Sequence, residues 1–178
     1  MKASQSPWVL SLSARLALFA SAAALLAVLG CGQRGSRDVP DALRAVAPAM
    51  VESHGNLHFV LSPAIGFQVA ARQGLPCLLF FTAEWCTYCH QMESAAFNDE
   101  AVSALADGFV CILIDADREP ELCRNQGVSG FPTIQFLSPD GRILHRLVGR
   151  QTAAQLAMGM RAASKRYAWL TGSATTVR

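Results

Sequence analysis

Charge is scarce in this chain, and what there is nearly cancels. Charged residues make up 16% of the sequence and hydrophobic residues 52%. A chain with that balance has the apolar matter for a real core and is not intrinsically disordered. The formal net charge is +2, and no run of Lys or Arg is dense enough to form a basic patch. Both facts argue against nucleic-acid binding. Cysteine is also sparse. Six cysteines in 178 residues are too few for a disulfide scaffold, so each must be sorted on its own. No internal repeat is visible. The length fits one domain with additional segments.

The N-terminal segment reads as separate from that domain. Lys2 and Arg15 bracket a polar start, and Leu16 to Leu29, "LALFASAAALLAVL", carries no charge. The run is short of the roughly 20 residues a bilayer requires. It has the length of a signal-peptide core. It ends in "VLGC", Val28 to Cys31, which resembles a bacterial lipobox, although Leu29 stands where a small residue is usual. That resemblance implies a lipidated Cys31 as the first residue of the mature chain. A plain signal peptide cut elsewhere and an uncleaved anchor are the alternatives. Residues 1–30 are then a lipoprotein-type signal peptide. Residues 31–56, rich in Gly, Pro, Ala and charge, form a flexible tether, with a short helix near Asp41 to Val46. The domain is expected at 57–168 and a C-terminal tail at 169–178. The expected location is the periplasmic side of a bacterial membrane, inner or outer, held by acyl chains.

Within the domain, Ser62 and Pro63 open a helix that Gly74 closes, with Ala64, Phe67 and Ala71 on one face. "CLLFFT", Cys77 to Thr82, is a continuous apolar run of the kind buried on both faces of a sheet. A helix follows Cys86 to about Phe97. Asn98 or Asp99 caps another, through Leu105. "FVCILID", Phe109 to Asp115, is a second buried strand. "EPELCRNQG" is a short helix closed by Gly127. "TIQFLS" and "RILHRLV" flank "PDG" and pair as a hairpin. "TAAQ", Thr152 to Gln155, is a capping box that opens the last helix. This order makes an α/β sandwich.

The chemistry concentrates in "EWCTYCHQME". Cys86-Thr87-Tyr88-Cys89-His90 is C-x-x-C-H, which fits three readings: a c-type haem attachment site, half of a zinc site, or a dithiol on a strand-to-helix turn. Haem would need a mostly helical fold and a distal ligand. Zinc would need two more ligands at tight spacing, and His54, His58 and His145 read as isolated surface or hairpin histidines. A dithiol needs what the flanks supply, a buried strand and then a helix. Cys86 at the helix start would meet unpaired backbone N–H groups that favour its thiolate, with Cys89 one turn on. Cys77 and Cys111 sit in apolar strands, where cysteine behaves as a small hydrophobe. Cys123 lies in a short helix. At least one free thiol is expected.

"GVSGFPT", Gly127 to Thr133, lies about 40 residues beyond Cys89 and just before the hairpin. With "EWCTYC" after a buried strand, it resembles the thioredoxin family over roughly residues 60–165. "WCTYCHQMESAAFNDEAVSALAD" further resembles the C-terminal periplasmic domain of the DsbD-type thiol–disulfide interchange proteins. The resemblance implies a thioredoxin fold, a central mixed sheet flanked by helices. It implies a redox-active Cys86–Cys89 disulfide, with Cys86 attacking and Cys89 resolving. Trp85 would shield the site and Pro132 would be the cis residue. The Phe131 backbone would pair with an extended substrate, Glu93 would match the family's active-site glutamate, and His90 would modulate the thiolate. No cofactor or metal is implied. The partners are protein thiols and disulfides, with a membrane electron donor as a candidate. A non-catalytic binding module using the cis-proline groove is the other reading. One departure stands out. The family places a buried aspartate six residues before the first cysteine, and here that residue is Phe80. Glu93, Glu84 or water must then carry the proton.

Overall fold

A computed structural model of the chain describes residues Val39–Gly172. The signal peptide, Cys31 and the end of the C-terminal tail lie outside them. The described elements are β1 (Val51–His54), β2 (Leu57–Val60), α1 (Pro63–Gln73), β3 (Cys77–Thr82), α2 (Thr87–Ala95), α3 (Glu100–Ala106), β4 (Val110–Asp115), α4 (Pro120–Asn125), β5 (Thr133–Leu137), β6 (Ile143–Val148) and α5 (Ala153–Leu170). The six strands form one mixed sheet in the order β1-β2-β4-β3-β5-β6. β3 lies at its centre, parallel to β4 and antiparallel to β5, and all six of its residues are buried. Its unbroken apolar run follows from that position, because helices cover both faces.

Successive side chains of β3 feed two cores. Leu78 and Phe80 pack with Cys89 and Met92 of α2, Val102 of α3 and Leu156 and Met160 of α5. Cys77, Leu79 and Phe81 pack on the opposite face with Val69 and Ala70 of α1 and Cys123 of α4. Each fully buried side chain of this size is worth about 1.5–3 kcal/mol, so the sheet centre carries much of the fold. The helix ends follow the sequence signals. Ser62 Oγ accepts from Ile65 N, Gly74 closes α1 at φ 64°, Asp99 caps α3, and Thr152 and Gln155 form the capping box of α5.

Three expectations need correction. The first concerns the tether, because the chain is folded from well before residue 57. Leu43 and Val46 are buried against the α1 side of the sheet, and Gln73 Nε2 donates to Ala42 O at 2.7 Å. β1 pairs antiparallel with β2. The short helix near Asp41 to Val46 is a single 3-10 turn, Asp41–Leu43. Two apolar side chains in a Pro- and Ala-rich stretch suffice because α1 offers them a surface. Second, α5 runs to Leu170, beyond the expected boundary at 168. Third, the face that α1 turns to the sheet is Gly66, Val69 and Ala70, with Phe67 half-buried against the same core, whereas Ala64 and Ala71 are exposed. A Cβ on Gly66 would stand 2.5 Å from Ile112 Cδ1, so the missing side chain lets the helix press onto β4.

Candidate active site

β3 delivers the chain to the site. Beyond Thr82 the backbone turns, with Cys86 N donating to Ala83 O at 3.0 Å, and α2 begins. Cys86 is the N-cap of α2, and its sulfur accepts from Cys89 N at 3.2 Å. The two cysteines are joined in a disulfide, S–S 2.04 Å, with Cα atoms 5.3 Å apart. Cys86 is 5% exposed and Cys89 0%. Only the outer sulfur is therefore open to attack.

The loop before β5 meets the start of α2 through Trp85. The Phe131–Pro132 peptide is cis. Thr133 Oγ1 donates to Gly130 O at 2.8 Å, and Gly149 N donates to Pro132 O at 2.8 Å, so the loop is pinned from both ends. Trp85 bridges helix start and loop. Its ring meets Phe131 edge-on at 5.9 Å between centroids, and its indole N–H donates to Asp117 Oδ1 at 3.3 Å. Trp85 and Tyr88 are 67% and 61% exposed, which leaves an aromatic rim beside the disulfide.

Beneath the pair the site is apolar. Phe80 is fully buried and meets Phe97 edge-on at 5.0 Å and Phe59 at 5.9 Å. Cys89 belongs to the same cluster. The place of the family's aspartate is filled by an aromatic triad.

Polar groups gather instead on the flank of α2. Glu93 Oε2 lies 3.1 Å from His54 Nδ1 and 3.6 Å from His90 Nδ1, and Glu52 Oε1 lies 3.2 Å from His54 Nε2. His90 Nε2 donates to Glu84 O at 2.9 Å. Burial pushes the Glu93 carboxyl up, but the His54 hydrogen bond and the charges of both imidazoles outweigh it and hold it below the usual range. The Glu93 hydrogen bond raises His54 against the effect of burial. His90 is raised too, first by its bond to the Glu84 carbonyl. These groups line one side of a cleft of about 390 Å³ that also reaches Leu113 and Asp115 at the end of β4.

Cys86 and Cys89 are thus joined, and Trp85 beside them meets Phe131 at the cis-Pro132 peptide, with Glu93 and His90 on the helix flank. His54 was missed. Its sequence neighbours give no sign of it, because the β1–β2 turn is what carries it to α2. Gly55 makes that approach possible at φ 62°, where a Cβ would meet Phe97 C at 2.9 Å and Glu93 O at 3.0 Å. Asn56 N donates to Phe97 O at 2.9 Å and locks the turn onto the helix end. His58 bonds Ser53 at 2.8 Å, and His145 stacks on Phe136. Cys77, Cys111 and Cys123 are free and buried, and burial pushes the first two up to about 12.

A disulfide at a helix N-terminus, together with a cis-proline loop before β5 and a sheet of this order, defines a thioredoxin-like domain of the thiol–disulfide oxidoreductase type. The family model described as "Thioredoxin-like domain" matches residues 66–164, more than half of the chain, and the chain belongs to that family. It is 38% identical over 85 residues to the thiol:disulfide interchange protein DsbD of Vibrio vulnificus, covering 44% of this chain and 14% of that protein. It is 32% identical over 77 residues to protein disulfide isomerase-like 2-2 of Oryza sativa, covering 43% of this chain and 21% of that one. The chain therefore spans only a small part of either relative. A thioredoxin from Thermus thermophilus superposes with a TM-score of 0.57 at 28% identity, over 66% of this chain and 96% of that one. Among the described residues no helix is long and apolar enough to cross a membrane.

Proposed function

We propose that this protein is an extracytoplasmic, lipid-anchored oxidoreductase that exchanges disulfides with protein partners, in the reducing or electron-relay direction. The observation that carries this reading is the position of Cys86, N-cap of α2 and next to Trp85, whose ring meets Phe131 of the cis-proline loop. A thiolate there is stabilised by the Cys89 N–H and the helix N-terminus. An extended partner segment laid along the loop presents its disulfide to that sulfur, and Cys89 resolves the mixed disulfide. The direction draws support from the likeness to the interchange protein, of which this chain matches one part. A membrane electron donor would fit the same direction. The periplasmic side of a bacterial membrane is the location proposed, with Cys31 as the acylated residue.

The geometry disfavours haem at the C-x-x-C-H motif. An axial His90 would need a free Nε2, and that atom is bonded to Glu84 O. Catalysis is separated from mere binding by insulin reduction. With dithiothreitol as electron source, the protein is expected to hasten precipitation of the insulin B chain. No acceleration would leave a cis-proline groove that binds without exchanging, and would end the enzymatic reading. The anchor has its own test. Cys31→Ala is expected to move the protein from the membrane fraction to the soluble one without changing the exchange rate. Wild-type protein found soluble and unacylated would refute the lipid anchor.

A further inference from the structure

We propose that His54, reaching across from strand β1, is a positioning residue of this site: it holds Glu93 against the active-site helix and shares with it the proton that Cys89 takes up when the disulfide opens. The proposal rests on the exchange reading above and adds a residue to it.

Opening the disulfide creates a demand for one proton. A partner thiolate attacks Cys86 Sγ. The new S–S bond joins partner and Cys86, the Cys86–Cys89 bond breaks, and its electron pair leaves on Cys89 Sγ. The partner sulfur is oxidised and Cys89 reduced to a thiolate. That thiolate is fully buried among Phe80, Met92 and Phe97, where an unpaired charge is costly. It must take one proton. The aromatic triad beneath it has none to give. Thr87 and Tyr88 are exposed on the outer side of the helix start.

Glu93 stands one helical turn beyond Cys89, and such i, i+4 residues are neighbours on the helix surface. Its side chain is 15% exposed, and that of His54 19%. The two meet at 3.1 Å from different elements, with the Gly55–Asn56 turn fixing the approach. An imidazolium beside a carboxylate stores one proton next to the helix. The step balances simply: Cys89 gains the proton through the Glu93 carboxylate, His54 becomes neutral, and solvent in the cleft recharges it. The raised His54 titration, above its ordinary 6.5, keeps that proton available into the neutral range and releases it as pH rises.

Other groups face the same cleft. Glu52 lies on β1 beside His54, Glu84 precedes α2, and His90 sits on α2. Asp115 at the end of β4, and Arg118 and Glu119 just after it, face it too, with Arg118 Nε 3.4 Å from Asp115 Oδ2. The excess of carboxylates favours the imidazolium. Arg118 opposes it, but spends its charge on Asp115.

The test is the rate at which dithiothreitol opens the disulfide of the full chain, measured for wild type and His54→Gln across the range from acid to alkaline pH. Glutamine keeps a hydrogen-bonding side chain and loses the proton. Taking the ratio at each pH cancels the titration of dithiothreitol itself. The ratio of variant to wild type is expected to fall to about one tenth near neutrality, less than the roughly 10²–10⁴-fold of a direct general acid because His54 acts through Glu93, and to return to unity at alkaline pH, where wild-type His54 is also neutral. Adding His54→Gln to Glu93→Gln is expected to change nothing further. A ratio that is constant with pH would show a structural contact only and overturn the proposal. So would additive losses in the double variant. Because this opening needs no protein substrate, it stays readable if insulin reduction fails, so the two readings fall separately.

Discussion

Replacing Cys86 by serine is expected to abolish disulfide exchange, with partner disulfides left at their uncatalysed rate. The hydroxyl cannot form an S–S bond, and Cys89, at 0% exposure, cannot reach a protein disulfide in its place. Cys89→Ser is expected to give a different failure. Cys86 still attacks, but nothing resolves the product, so mixed disulfides accumulate. Non-reducing electrophoresis and mass spectrometry of protein trapped in cell extracts distinguish the two. Stable adducts through Cys89 in the Cys86→Ser variant, with none through Cys86 in Cys89→Ser, would reverse the roles.

The second large effect concerns stability. Phe80→Ala is expected to cost about 3–5 kcal/mol, the usual loss for deleting a buried aromatic ring. Phe80 is fully buried on the central strand and touches Phe59 and Phe97, so the cavity has walls on several elements and cannot readily collapse. Against a typical total of about 5–15 kcal/mol, that is a large fraction. Phe80→Asp restores the acid that the family carries at this place, but it is expected to cost more than alanine, because the cavity then also holds a carboxyl with no partner among aromatic rings. Urea denaturation with tryptophan emission reads both. A loss below about 1 kcal/mol for Phe80→Ala would show that Phe59 and Phe97 close over the gap. With Glu93→Gln as background, Phe80→Asp is expected to recover part of the exchange rate in the fraction that remains folded.

What could be read from the sequence were the elements that carry their own signal. "CLLFFT" announces a strand covered on both sides, "PDG" between two apolar runs announces a hairpin, and "TAAQ" announces a helix start. The dithiol and the proline loop were legible for the same reason, as local patterns at fixed distances. "VESH" is different. Its burial runs half-buried, exposed, exposed, half-buried, so no period-2 alternation marks it as a strand. It is held by pairing with β2 and by a turn docked on α2. The His54–Glu93 contact depends on that turn and was invisible for the same reason. The face of α1 was misread because Gly66 looks like a gap, whereas Ile112 from a distant strand fills it.

Strand β1 also ends the sheet. Among the described residues no strand lies beyond its outer backbone N–H and C=O groups, and such edges invite pairing between molecules. Two features blunt this one. The strand is only four residues long, and Glu52 is exposed on it beside His54. A second copy arriving edge to edge would have to accommodate ionisable groups along a very short ladder. A substitution that made this edge longer or more apolar would therefore risk self-association, and the imidazole that reaches Glu93 sits on the strand where sheet growth is held back.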